Sequence, residues 1–178
     1  MARPPLDREI LIDQLREQYD FIICGGGTAG CVIARRLADH PQVTVLLIEA
    51  GGSDRVESVM DTSKWMSNIG SERDWGYHAQ ATDSLNSRTP VLPMGKVLGG
   101  GSSINGSIWA RGHQNDYDGW ATIADDTGWN YDSALSVFRK IEDWHGPPDA
   151  HRRGQGGLLS VYPPGDPVPL VGSLLQAA

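Results

Sequence analysis

Cysteine is scarce in this chain of 178 residues, which carries only Cys24 and Cys31. Two cysteines make no disulfide framework, so the expectation is reduced thiols in a cytoplasmic protein. Both have apolar neighbours, where cysteine behaves as a small core hydrophobe. Basic residues are also short: 15 Lys and Arg stand against 22 Asp and Glu, a net charge of −7. That balance argues against nucleic acid as a partner and leaves small molecules. No apolar run approaches the roughly 20 residues of a transmembrane helix. The first eighteen residues alternate charge with single apolar positions, unlike the apolar segment of a signal peptide. His, Cys and acidic residues nowhere adopt a metal-ligand spacing. What the chain does have is glycine and proline, 22 and 11 residues, the mark of a loop-rich architecture.

Hydrophobic periodicity outlines the elements. Residues 7–18 predict a short helix with Ile10, Leu11 and Leu15 as a partial apolar stripe, an N-terminal extension of residues 1–18. Tyr19 to Cys24 and Val43 to Ile48 read as buried parallel strands. Between them, Thr28 to Ala38 suits a helix packed on a sheet, with Pro41 following its end. Together they predict a right-handed βαβ unit. Ser53 to Pro93 has no clear period and is too long for an ordinary loop, which suggests that it wraps a ligand or interleaves with the rest of the fold. Helices are expected over Asn115 to Trp120 and Tyr131 to Ile141, a strand over Leu158 to Val161, and a helix from Leu170. Gly146 to Gly157 reads as a linker, placing one domain over residues 19–145 and the start of a second over 146–178.

The turn between the first strand and helix carries Gly25-x-Gly27-x-x-Gly30. In that context the first glycine makes the tight turn, the second admits a pyrophosphate, and the third lets helix and strand pack closely. The free N–H groups of Thr28 and Ala29, in the first helical turn, face the same anion. Glu49 ends the second strand, where a carboxylate accepts hydrogen bonds from a ribose diol and repels a 2′-phosphate. The alternative for Glu49 is a surface acid after a core strand. NAD and FAD share this motif; the glycine-rich turn Glu49-Ala50-Gly51-Gly52 leans toward a flavin.

A second glycine-rich block runs GKVLGGGSSINGSIWARGHQNDYD from Gly95 to Asp118. Three consecutive glycines and small polar residues let the backbone approach something closely, and the apolar residues that follow suit a flat, half-polar ring. Asn105 has two readings open, a helix cap or a contact to such a ring.

This block resembles the first signature of the glucose–methanol–choline (GMC) oxidoreductases. The resemblance rests on Gly95-Lys96, Leu98, Gly99-Gly100, Gly101-Ser102, Ile104, Asn105, Trp109, Gly112 and Asp118. Weaker likeness extends it from Tyr19 to the end, in the manner of choline-dehydrogenase-like members. It implies an α/β fold, a Rossmann-like FAD/NAD(P)-binding parallel sheet with flanking helices, incomplete without the family's C-terminal part. It implies FAD, oxidation of a small alcohol to a carbonyl, and hydride transfer to flavin N5. The cofactor residues it implies begin with Gly25, Gly27, Thr28, Ala29 and Gly30 at the diphosphate, and Glu49 with Ala50 at the adenosine ribose. Val97, Gly101, Asn105, Gly106, Ser107 and Ile108 would line the ribityl chain and isoalloxazine. Where some members attach FAD through a histidine, this chain has Ile104, so the expected FAD is non-covalent.

Members of the family are roughly three times as long, and their catalytic histidine lies near the far end. His40, His78, His113, His145 and His151 match none of those positions, so no catalytic residue is assigned here. The electron acceptor stays open. A non-catalytic nucleotide-binding fragment or truncated paralogue is the second reading, and a nicotinamide dehydrogenase the third.

Overall fold

The computed structural model describes residues 8–166 and 168–177. Its internal contacts divide the chain into two units that meet between Ile108 and Trp109, inside the second glycine-rich block.

The first unit opens with a short helix α1, Arg8–Asp13. It is shorter than the sequence pattern suggests; Asp7 and the Ile10 side chain lie outside the described residues, and Leu11 and Leu15 are exposed. Strand β1 (Phe21–Cys24), helix α2 (Thr28–Ala38) and strand β2 (Val45–Ile48) then form the expected β-α-β unit. The strands pair in parallel, Phe21 opposite Val45 through Cys24 opposite Ile48. Asp20 sets the start of that register. Its Oδ2 accepts from the Thr44 amide at 2.8 Å and the Thr44 hydroxyl at 2.7 Å, while its own amide donates to the Thr44 carbonyl.

The strands are not buried as their apolar sequences imply. Ile22 is 59% and Ile48 48% exposed, because among the described residues this parallel sheet has two strands. Cys24 is exposed for the same reason, and Cys31 is half-buried with its thiol donating to the Gly26 carbonyl. Neither cysteine is a core residue.

The stretch 53–93 contains more local order than its sequence suggests. Helix α3 (Glu57–Met60) leads into a 3₁₀ helix over Thr62–Asn68. Strands β3 (Tyr77–His78) and β4 (Val91–Leu92) pair antiparallel. Buried Asp74 ties these pieces together, accepting from the amides of Gly70, Gly76 and Met94 at 2.9–3.0 Å. Those three bonds favour the ionised form and hold its carboxyl below the usual range. Helix α4 (Gly101–Ile104) closes the unit; Ile104 is buried and Val97 fully so.

The second unit is built on two helices. In α5 (Gln114–Ala124) His113 is the cap: its Nδ1 accepts from the Asn115 amide while Asp116 accepts from the His113 amide. Helix α6 (Tyr131–Ile141) matches its sequence bounds, capped by Asn130, which accepts from the Ser133 amide at 2.9 Å. Asp118 joins them by accepting from the Tyr131 amide at 3.0 Å. Between the helices Tyr117 meets Trp120, Tyr131 and Phe138 with ring centroids 5.2–6.1 Å apart, and Leu135 is buried.

Helix α6 runs directly into β5 (Glu142–Trp144), which pairs in parallel with β6 (Leu159–Val161). Helix α7 (Pro169–Ala177) follows; Ala178 lies outside the described residues. The residues read as a linker, 146–157, are instead tethered to this strand pair. Trp144 donates to the Gly154 carbonyl, and Gly157 donates to that of Glu142. A Cβ on Gly154 would lie 1.8 Å from the Arg139 carbonyl oxygen, so only glycine fits there. His145 is also held, stacked on Tyr162 at 4.4 Å with its Nε2 3.0 Å from Asp143.

The tether centres on Glu142, whose side chain is fully buried. Arg111 and Arg153 each reach a different carboxylate oxygen at 2.9 Å, and the Gly154 amide donates at 2.9 Å. Burial alone would raise the carboxyl's pKa. The Gly154 amide and the two guanidinium groups outweigh it and hold the group below the usual range. The arginines are braced in turn, Arg153 over the Trp144 ring and Arg111 over Phe138. Arg111 also donates to the Arg152 carbonyl.

Candidate dinucleotide site

The site begins at the turn after β1, where chain direction reverses in so few residues that Gly25 takes φ +100°. Gly30, in the first turn of α2, has its Cα directly over that turn; a Cβ there would lie 2.0 Å from the Gly25 carbonyl oxygen. These two glycines are required by the fold itself.

Gly27 is different. As the N-cap of α2 it has φ −73° and ψ −173°, which any residue adopts, and a Cβ built on it meets nothing within 4 Å. The protein's own packing does not require glycine there. Space left open at the start of an eleven-residue helix, next to the exposed Thr28 and Ala29, is where the backbone can be approached from outside.

The second glycine-rich block folds back onto this turn. Gly99 donates to the Gly26 carbonyl at 2.7 Å, and Gly100, the cap of α4, lies against Gly27. The Thr28 hydroxyl donates to Ser102 Oγ at 3.1 Å, and Ser102 donates onward to the Gly99 carbonyl. From below, Gly52 pairs with Val97 and the Lys96 carbonyl presses on Gly51, where a Cβ would lie 2.0 Å away. Glu49, at the exit of β2 beside exposed Ala50, points its carboxylate into the same junction. It accepts from the Gly26 amide at 2.6 Å and the Gly51 amide at 2.8 Å. Glu49 is therefore held by two backbone amides and is not a loose surface acid.

Gly101, Asn105, Gly106, Ser107 and Ile108 are all exposed, Ile108 by 84%. Gly101, like Gly27, has open space where a Cβ would be. Asn105 caps the end of α4 and its Oδ1 accepts from the Ser107 amide at 2.8 Å, fixing Ser107 at φ +55°. That arrangement presents Gly106 beside the Trp65 ring, 3.7 Å from its potential Cβ. Val97 is wholly buried, and its carbonyl accepts from the Gly100 amide at 2.7 Å. Sequence reasoning also passed over Gly26, Leu98 and Ser102 as site-shaping residues; the run of glycines was the signal that backbones would cross there.

The family model for the GMC oxidoreductases matches residues 19–178. The chain belongs to the GMC oxidoreductase family. Among curated GMC relatives it is 41% identical over 145 residues to the oxygen-dependent choline dehydrogenase of Vibrio vulnificus, covering 81% of this chain and 26% of that protein. It is 44% identical over 131 residues to the glucose dehydrogenase [FAD, quinone] of Drosophila melanogaster, covering 71% and 20%. The chain thus spans about a quarter of the length of the curated relatives it matches. Among solved structures, pyridoxine 4-oxidase from Mesorbium loti superposes with TM-score 0.82 at 32% identity, over 90% of this chain and 31% of that one. A formate oxidase superposes with TM-score 0.72 at 33% identity, over 81% and 26%. The GMC fold of these neighbours agrees with the α/β, Rossmann-like reading of the fold. No helix among the described residues is long and apolar enough to cross a membrane.

Proposed function

We propose that this chain is the FAD-binding part of a GMC oxidoreductase that oxidises a small alcohol to a carbonyl compound. The observation that carries the reading is Gly27, where neither backbone conformation nor packing explains a glycine. An approaching diphosphate explains it, because a side chain there would stand between the phosphate and the free amides of α2. The names of the relatives, a choline dehydrogenase and an FAD-linked glucose dehydrogenase, support a flavin on this motif.

When bound, FAD supplies the hydride acceptor for the alcohol carbon. The residues of this chain hold it. Gly25, Gly27, Thr28, Ala29 and Gly30 receive the diphosphate, with Glu49 and Ala50 toward the adenosine ribose. Val97, Gly101, Asn105, Gly106, Ser107 and Ile108 would line the ribityl and isoalloxazine end. None of these residues is a base suited to taking the hydroxyl proton. On this reading the base belongs to the length of the relatives that this chain does not span.

Gly27→Ala tests the assignment. The added methyl meets no protein atom, so stability should change by no more than about 0.5 kcal/mol. Flavin affinity, measured by equilibrium dialysis, should fall by about tenfold or more, since the methyl occupies the phosphate's approach. Undiminished flavin binding in this variant would overturn the placement.

A further inference from the structure

We propose that Glu49 is a positioning residue that clamps the two glycine-bearing loops together before any ligand arrives. The proposal rests on the dinucleotide reading above and adds a role that contact with a ribose would not require. The two carboxylate oxygens are divided between two loops: Oε2 accepts from the Gly26 amide at 2.6 Å, and Oε1 from the Gly51 amide at 2.8 Å. Gly26 is the centre of the diphosphate turn. Gly51 precedes Gly52, the residue on which Val97 of the second block pairs.

Gly26 occupies a position that the G-x-G-x-x-G pattern leaves free, yet here it is enclosed. It is buried, and its carbonyl accepts from the Gly99 amide at 2.7 Å and the Cys31 thiol at 3.1 Å. A Cβ on it would lie 2.9 Å from Leu98 Cδ1 and 3.1 Å from Glu49 Oε2. Its peptide is therefore the meeting point of β1, α2, the end of β2 and the second glycine block, and Glu49 supplies a charged partner. Amide donors to a carboxylate make bonds roughly twice as strong as neutral pairs. Each oxygen keeps a further lone pair, so a ribose diol can be accepted without releasing either amide.

The clamp and a ribose contact predict different behaviour toward a nucleotide that lacks the diol. Glutamine at residue 49 would turn an NH₂ toward one of the two amides, losing a bond and setting donor against donor. ADP and 2′,3′-dideoxy-ADP are the probes, titrated by calorimetry into the intact protein and into Glu49→Gln. Exchange of the Gly26 and Gly51 amides is followed in the ligand-free proteins. The clamp predicts that Glu49→Gln weakens both nucleotides by about tenfold or more. It also predicts that the two amides exchange about tenfold faster while β1 and β2 keep their protection. Glu49→Asp, charged but one methylene short, should show the same faster exchange and serves if the glutamine variant fails to fold. Weakened ADP with unchanged dideoxy-ADP and unchanged exchange would reduce Glu49 to a ribose contact and sink the clamp. If the unaltered protein bound neither nucleotide, the dinucleotide reading itself would fall, and the exchange measurement alone would still decide the clamp.

Discussion

Gly100 rests on Gly27 so closely that a Cβ added to Gly100 would lie 2.7 Å from the Gly27 Cα. The cap of α4 is thereby set against the cap of α2, and a block that begins nearly seventy residues later in the chain forms one wall of the first turn. Glycine serves opposite ends at this contact: Gly100 closes the space between two segments, and Gly27 keeps space open on the outer side.

Gly100→Ala should therefore damage the fold itself, in contrast to Gly27→Ala. Gly100 has φ +58° and ψ −131°, a conformation that costs a residue with a side chain about 1–3 kcal/mol, and the contact with Gly27 adds repulsion. A drop of at least about 2 kcal/mol in a urea titration is expected. Unchanged stability would mean that the two caps are further apart than described.

Gly26→Ala is predicted to behave like Gly100→Ala and unlike Gly27→Ala, although the three are close neighbours. The new methyl would meet Leu98 and Glu49 at 2.9–3.2 Å, so one of them must move. A melting temperature lowered by several degrees in Gly26→Ala, with Gly27→Ala unshifted, is the expected pattern.

The second unit should be sensitive to acid through Glu142. Its folded carboxyl titrates below the ordinary range, whereas unfolded it titrates near about 4.3. The stabilisation it provides is accordingly complete above about pH 4.3 and is lost as pH falls through the lower folded value. Glu142→Gln leaves Arg111 and Arg153 without their shared counter-ion and should cost about 3 kcal/mol at neutral pH. Chemical denaturation from neutral pH down to about pH 3 compares the two proteins. The glutamine variant should lose less stability on acidification, and parallel pH curves would contradict the assigned role.

Flavin bound by this protein should be released intact by acid precipitation. The residue before Asn105 is the buried Ile104, which offers no nucleophile for a covalent link. Yellow supernatant and a colourless pellet are expected; flavin retained in the pellet would show an attachment elsewhere.

Local elements were legible because their signals are local. Helices α2 and α6 lie at the bounds their apolar spacing sets, and Asn130 caps α6 as an asparagine before a periodic run should. The GxGxxG turn and Glu49 were readable for the same reason. The state of β1 and β2 was not. Their sequences carry the apolar density of buried strands, but burial depends on what covers them, and Ile22 and Ile48 are half-exposed on a two-stranded sheet. Residues 146–157 have a linker's composition, yet Glu142 holds them through two arginines and the Gly154 amide. Nothing in a window of sequence announces a partner eleven to thirty-one residues away.

By itself the sequence determined the family, the β-α-β unit and the residues of the two glycine blocks, since these follow from short-range patterns of apolar and glycine positions. The turn, approach and packing roles of Gly25, Gly27 and Gly30 belong to that same local pattern. Only the tertiary structure decided what the glycines of the second block are for: Gly100 closes against Gly27, and Gly101 leaves open space. A missing Cβ reads identically in both; the neighbour that would collide with it at Gly100 lies more than seventy residues away in the chain.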